Sequence, residues 1–269
     1  MNPLEKDIAE SKPQLAPHEH ACAPVTALAV DYRDGQHVPR HRHRRAQLLY
    51  AIEGVMTVQA EAGIWVAPPT RGIWLPAGMA HSIRMHGQPR VRTVFVAPRA
   101  AGHLPDRCCV LAVGPLLREL IVAATRVPPD WRPGGRDARL MALLLDEIRL
   151  EPALPLHLPQ PDEPRVARVC RGILSEPGAA RGLAEWAAEL GVTAKTVQRL
   201  FVRHTGMTFG RWRQQAGLLW AMRRLAEGVR VLDVALELGY DSPSAFAAMF
   251  RRAIGEPPSA FAARREPPA

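Results

Sequence analysis

The chain has 269 residues, 47% of them hydrophobic, with 35 Lys and Arg against 26 Asp and Glu and a formal net charge of +9. That much apolar content excludes a disordered chain and supports two domains of ordinary size. No run of about 18 apolar residues exists, which excludes a membrane-spanning helix, and the start MNPLEKDIAESKPQ lacks the basic-then-apolar order of a secretory signal, so a cytoplasmic protein with no membrane partner is expected.

The positive balance would suit a partner made of phosphates, but arginine far outnumbers lysine and alanine and proline are abundant, a bias that a GC-rich genome also produces. Charge alone therefore does not decide for nucleic acid. The four cysteines, Cys22, Cys108, Cys109 and Cys170, have no metal-ligand spacing and read as reduced structural thiols.

From Val25 to Val96 the sequence consists of short apolar stretches separated by turn residues: VTALAV, QLLYAIEG, VMTVQAEAG, IWVAPP, GIWLPAG, HSIRMHG and VRTVFVAP. Spacing near ten residues and enrichment in Val, Ile, Trp and Thr predict the strands of a sandwich or barrel. Within it, GQHVPRHRHRRAQLLYAIEG carries His41 and His43 at i and i+2, which share a strand face, and Gln47 near the next inward position. PAGMAH places His81 after a turn containing Pro76 and Gly78. Alternation is read as turning Arg40, Arg42, Arg44 and Arg45 away from the histidines, toward solvent. Tyr50, Trp65 and Trp74 are candidates for the apolar wall of a pocket, against the commoner fate of aromatic core packing.

From about Gly114 the period changes. Leu116, Leu117, Leu120, Ile121 and Ala124 recur at helical spacing, as do Leu140, Leu143, Leu144 and Ile148, and VPPDWRPGG breaks the chain between them. These predict an αα-hairpin over 114 to 151 that helps make a homodimer, or simply packs on the barrel. EPALPLHLPQPDEP then reads as a proline-rich linker.

The remainder is helical. GLAEWAAELGVTAKTVQRLFVRHTG gives an amphipathic helix, a turn at Gly191 and a restart capped by Thr193: a helix-turn-helix. VLDVALELGYDSPSAFAAMFRRAIG repeats the pattern, with a turn at Gly239, Ser242 as cap and Pro243 at the first helical position, where no amide is needed. In the second helix of each unit, Val197, Leu200 and Phe201, and Phe246, Met249 and Phe250, fall on the core face. The opposite faces form the candidate reading surface: Ala194, Lys195, Gln198 and Arg199, with Val202 beside them, in the first unit, and Ser244, Ala245, Ala248, Arg251 and Arg252 in the second. Arg and Gln can bond guanine and adenine edges, small residues allow close approach, and Arg251 and Arg252 near the helix end suit phosphates. TFGRWRQQAGLLWAMRRLAEG predicts a connecting helix whose 18 residues span about 27 Å, so that two recognition helices reach successive major grooves of double-stranded DNA.

Residues 165 to 265 resemble the DNA-binding domain of the AraC/XylS family of bacterial transcription regulators. The resemblance is carried by Leu183, Ala184, Leu200, Phe201 and Gly206 in the first unit and by Ala235, Gly239, Tyr240, Ser242, Phe246, Phe250, Arg251, Gly255 and Pro258 in the second. Gly217 departs from it, standing where the family's connecting helix usually carries arginine; a mid-helix glycine costs about 1 kcal/mol relative to alanine, so a less rigid connector is expected. The spacing G-x5-H-x-H-x3-Q-x6-G from Gly35 to Gly54, followed by P-x-G-x2-H, resembles the two cupin motifs, with Gln47 in place of the usual glutamate. That resemblance implies a divalent transition metal held by His41, His43, Gln47 and His81, with Zn, Ni, Cu or Fe compatible with three imidazoles.

The expected architecture is α+β: a cupin-like effector domain over 1–108, a helical hairpin and linker over 109–160, and a DNA-binding domain with two helix-turn-helix units over 161–269. The expected function is a DNA-binding transcription regulator, not an enzyme. Its barrel senses a small molecule or metal ion at His41, His43, Gln47, Tyr50, Trp74 and His81, and RNA polymerase is a further partner if it activates. The alternative is a metal-dependent cupin dioxygenase or isomerase with a non-catalytic helical tail.

Overall fold

The computed structural model describes residues 14–149, 156–179 and 181–263. They fall into two compact units. The first runs through Glu61 and resumes from Trp65 to the end of the predicted hairpin; the second takes Ala62–Ile64 and everything from Leu156 on. Among the described residues no helix is long and apolar enough to cross a membrane.

The first unit begins with a helix over residues 14–20 (α1). It continues with β1 (Val25–Asp31), β2 (His37–His41), β3 (Ala46–Ala51), β4 (Val55–Ala60), β5 (Gly63–Ala67), β6 (Arg71–Leu75), β7 (His81–His86), β8 (Arg90–Val96), β9 (Cys109–Ala112), α2 (Pro115–Ala124) and α3 (Arg136–Glu147). One sheet has the order β1-β8-β3-β6-β9, and in the other β5, β4, β7 and β2 are neighbours. The pairs β1–β8, β3–β8, β3–β6, β6–β9, β4–β7 and β2–β7 are antiparallel. Between β3 and β4 the chain reverses at Gly54, whose φ of 73° and 2.7 Å approach to Pro89 Cα leave no room for a side chain.

Strand alternation decides where the core lies. Ala46, Leu48 and Tyr50 of β3 share one face with Trp74 of β6 and Val94 and Val96 of β8, and against that face pack Leu117, Ile121 and Ala124 of α2 with Met141 and Leu144 of α3. Each such aliphatic side chain contributes about 1.5–3 kcal/mol by leaving water. The hairpin's leucine stripes are thus spent mainly on the sheet. Leu116 and Leu143 alone among its large apolar side chains are strongly exposed, at 52% and 45%. The expected cut at 108/109 is corrected by the same packing, because β9 completes the first sheet and the hairpin covers it.

The second unit contains β10 (His157–Pro159), α4 (Pro164–Ser175), α5 (Leu183–Glu189), α6 (Ala194–Thr205), α7 (Phe209–Ala226), α8 (Val231–Glu237), α9 (Pro243–Ile254) and α10 (Pro258–Ala262). The first residues of the expected linker, 151–155, lie outside the described residues. Its later part is no free spacer: Leu156 and Leu158 are buried, Trp212 Nε1 donates to Pro159 O at 3.0 Å, and Gln215 Nε2 donates to His157 O.

Both helix-turn-helix units form as the sequence predicts. Gly191 and Gly239 take φ of 64° and 74°. Thr193 Oγ1 accepts from the Thr196 amide and Ser242 Oγ from the Ala245 amide, each at 3.2 Å, so both second helices start with a filled cap. Phe201 stacks on Phe209 and Trp212 in one core, and Phe250 on Phe246 and Phe261 in the other.

The two cores are held to one another by more than the connecting helix. A Cβ on Gly178, in the loop between α4 and α5, would lie 1.7 Å from Glu237 O at the end of α8, so the backbones touch. Arg213 of α7 donates to the carbonyls of Ala179 and Arg181 in that loop at 3.2 and 3.3 Å. Gly217 lies one turn further along α7, where a Cβ would meet only Leu238 Cδ2 at 3.5 Å. Gly217→Ala is therefore expected to stabilise the protein by about 1 kcal/mol through restored helix propensity. Gly178→Ala should destabilise it by about 1–3 kcal/mol through overpacking. Denaturant unfolding of both variants checks the pair, and destabilisation by Gly217→Ala would refute the packing described for that face.

Candidate functional site

β2 and β7 pair with a register shift between Val38 and His41 that brings His41 opposite His81. Such a bulge re-aims the side chains at a strand end. Two residues on, the carbonyl of His43 accepts from the Gly78 amide at 2.8 Å, which fastens the Pro76–Met79 turn to the strand carrying the first two histidines.

The three imidazoles converge. The ring centroids of His41 and His81 lie 4.4 Å apart, those of His41 and His43 4.8 Å, and one ring nitrogen from each falls within 4.8 Å of the others. Each Nδ1 is anchored to an oxygen: His41 donates to Pro39 O at 2.8 Å, His81 to Met79 O at 2.9 Å, and His43 to Glu19 Oε1 at 2.5 Å. A ring that donates through Nδ1 keeps a lone pair on Nε2, and those atoms point at one another, with His41 Nε2 3.1 Å from His43 Nε2. His81 Nε2 is buried without a hydrogen-bond partner among the described residues.

Burial, with the adjacent His41 ring, pushes the His81 pKa down to about 3, and burial also lowers that of His41. Both rings are thus neutral near pH 7. Burial works against the Glu19 carboxylate, but the hydrogen bond from His43 and the Arg44 amide hold its pKa below the usual range.

Gln47 faces the same interior. Its Nε2 donates to Thr93 Oγ1 at 3.0 Å, and that hydroxyl donates in turn to Leu48 O at 3.3 Å. The chain of donors fixes the amide so that Oε1 is the free atom, and this oxygen is buried with no partner among the described residues. The three converging imidazoles fit a divalent transition metal: tetrahedral Zn–N bonds of about 2.0–2.1 Å put ligand nitrogens about 3.3 Å apart, close to the 3.1 Å between His41 Nε2 and His43 Nε2. Anchoring of each Nδ1 by an outer oxygen is the usual support of such ligands.

Two residues expected at the pocket are elsewhere. Tyr50 and Trp74 belong to the opposite face, in the core under α2 and α3, where Tyr50 Oη donates to Pro69 O at 3.0 Å and Trp74 Nε1 to Pro105 O at 2.8 Å. The reason is parity. Tyr50 is three residues from Gln47 and so points the other way, and Trp74 pairs with Leu48 on that same outward face.

Arg40, Arg42 and Arg44 are exposed, but Arg45 is not; it is 5% exposed and donates to the carbonyls of Ala21 and Ala23. It shares the odd parity of His41 and His43, which the sequence reading overlooks. Glu19 is absent from that reading altogether. Its only signal is indirect: once Gln47 replaces a carboxylate in the motif, an acid must come from another segment. Arg45→Ala is expected to lower stability by about 2 kcal/mol, since it leaves two carbonyls without their charged donor. Thermal unfolding of the purified variant reads this, and an unchanged midpoint would contradict the buried role.

In the second unit Lys195, Arg199, Val202, Ser244, Ala245, Ala248, Arg251 and Arg252 are exposed, while Ala194 and Gln198 are half-buried. Gln198 is partly committed, because its Oε1 accepts from the Phe209 amide at 3.4 Å and so helps start α7. Charges separate by role. Arg168 and Arg181 pair with Glu189, Arg224 with Glu227 and Glu237, and Arg230 with Asp233. Lys195, Arg199, Arg251 and Arg252 pair with no acid among the described residues. The basic groups of α6 and α9 are thus free of acidic partners, as are Arg171 of α4 and Arg211 of α7 among the described residues.

Residues 186–264 match the model of a helix-turn-helix domain, and residues 24–150 that of the AraC-like ligand binding domain. The chain is 34% identical over 226 residues to the HTH-type transcriptional regulator NimR of Escherichia coli (strain K12), covering 84% of this chain and 82% of that protein. It is 30% identical over 131 residues to the HTH-type transcriptional regulator RipA of Corynebacterium diphtheriae, covering 48% of this chain and 37% of that one. The crystal structure of ToxT from Vibrio cholerae O395 aligns with 90% of this chain and 98% of its own at 11% identity and a TM-score of 0.38. With an AraC-like ligand-binding domain, two capped helix-turn-helix units and a NimR relative aligned over most of both chains, the protein belongs to the AraC family of helix-turn-helix transcription regulators.

Proposed function

We propose that this regulator reads its operator with α6 and α9 and is switched by a metal-dependent effector at His41, His43 and His81, with Gln47 as a fourth donor. The observation that supports the switch is the convergence of three imidazoles whose Nδ1 positions are each held by an oxygen. When bound, the metal would supply a Lewis-acidic position for an effector donor atom. The chain's own residues do the rest: they orient the rings, keep His41 and His81 uncharged by burial and, through Glu19, tie the site to α1. Binding there shifts the population of DNA-competent states only by its differential affinity for them.

On the DNA side, Arg199 and Lys195 carry the first contact surface and Arg251 and Arg252 the second, with the small residues Ser244, Ala245 and Ala248 allowing close approach. The regulator works in the cytoplasm as a homodimer, to which the exposed Leu116 and Leu143 of the hairpin contribute.

Fluorescence anisotropy with the DNA upstream of its own gene tests the first half. Arg199→Ala is expected to cost about 1–3 kcal/mol of specific affinity, and Lys195→Ala to reduce the salt slope by about one. Unchanged affinity in Arg199→Ala would remove it from the interface. Elemental analysis tests the second half. The purified protein is expected to carry a divalent transition metal, and Glu19→Ala to weaken its affinity about 10–100-fold. His41→Ala combined with His43→Ala should abolish the metal while leaving basal DNA binding intact; a wild-type protein that takes up no metal would sink this half alone.

A further inference from the structure

A cavity of about 380 Å3 opens onto the histidine cluster, and its walls contain more than a metal needs. His41 and His43 line it, so a ligand there could reach the metal position. One side is apolar: Leu15 and Ala16 of α1 face Val38 and Pro39 of β2. Its remaining wall is cationic, formed by Arg40, Arg42 and Arg44, none of which pairs with an acid among the described residues.

The one carboxylate in the wall is already committed. Glu19 Oε1 lies 2.5 Å from His43 Nδ1 and Oε2 accepts from the Arg44 amide, and none of the three guanidinium groups pairs with it. His81, 1% exposed, does not line the cavity; its Nε2 is buried without a hydrogen-bond partner among the described residues.

We infer that this cavity is the effector site and that it takes a small monocarboxylate with an apolar body. The carboxylate would sit between the guanidinium groups and the metal, where charge-assisted hydrogen bonds are strong and geometrically selective. The body would cover Leu15, Ala16 and Val38. A neutral ligand would forgo the ionic contact with these exposed arginines, and an inorganic anion would leave the apolar wall wet. The inference rests on the metal reading above and adds to it the class of effector.

Isothermal titration of the metal-loaded, full-length protein with phenylacetate, phenylacetamide, acetate and inorganic phosphate tests it. Phenylacetate is expected to bind at least about tenfold more tightly than each of the other three, a difference of about 1.4 kcal/mol. In the Arg40→Ala and Arg42→Ala double variant, checked for retained metal and an unchanged circular dichroism spectrum, that preference should disappear. In cobalt-loaded protein, phenylacetate should also perturb the visible absorption of the metal. Equal affinity for phenylacetate and phenylacetamide overturns the inference, as does phosphate binding as tightly as phenylacetate. So does no measurable binding of phenylacetate, or a preference that survives in the double variant. Metal content separates the two claims: metal-loaded protein without carboxylate preference refutes the effector class alone, whereas wild-type protein that accepts no metal refutes the site itself.

Discussion

The sensing half is organised around the two-sidedness of a single strand. β3 sends Ala46, Leu48 and Tyr50 outward, where α2 and α3 bury them, and Gln47 inward, where Thr93 orients its amide. Because pleated side chains alternate strictly, neither set can move without the other. The hairpin packs on the outer face of β3 and β8, while on their inner face Phe95 of β8 lies 5.4 Å from the His43 ring, centroid to centroid. A change in the interior that shifts Gln47 or Phe95 must be felt under the helices.

The polar atoms in that interior fall into a hierarchy. Backbone carbonyls of Pro39 and Met79 and the carboxylate of Glu19 occupy the outer nitrogens of the three rings, while His81 Nε2 and Gln47 Oε1 are buried without partners among the described residues. An orphaned buried group is costly, and several around one point mark either strain or a ligand. The convergence of lone pairs rather than protons selects a cation over an anion at that point. The arginines outside select the reverse. The two preferences sit side by side, and that adjacency gives the site its chemical character.

Much of this is legible in the sequence. Caps at Thr193 and Ser242, turn glycines and the core faces of α6 and α9 are readable because each is set by residues within one helical turn. His41, His43, Gln47 and His81 can be placed together because a strand and a turn fix their directions locally. What fails is of a different kind. Tyr50 and Trp74 are assigned by residue type, without the alternation that places Gln47. The leucine stripes of the hairpin announce burial but not against what, since a stripe meets a sheet or a second copy equally well. Glu19 and Arg45 are tied together by the docking of residues 14–23 along the end of the barrel, a long-range event with no periodic signature. Gly217 reads as a weakness from its own helix, whereas the load is carried by Arg213 and Gly178 in a loop that shows no motif.

That loop has a consequence for the nucleic acid. With backbone against backbone at Gly178 and Glu237 and two guanidinium bonds from Arg213 to the same loop, the two helix-turn-helix units are joined by more than α7. Two units so joined, if both engage one duplex, would sense the phase of the helix as well as its letters. An extra base pair between the two half-sites rotates one groove by about a tenth of a turn, and the duplex, not the protein, would have to twist to restore the match.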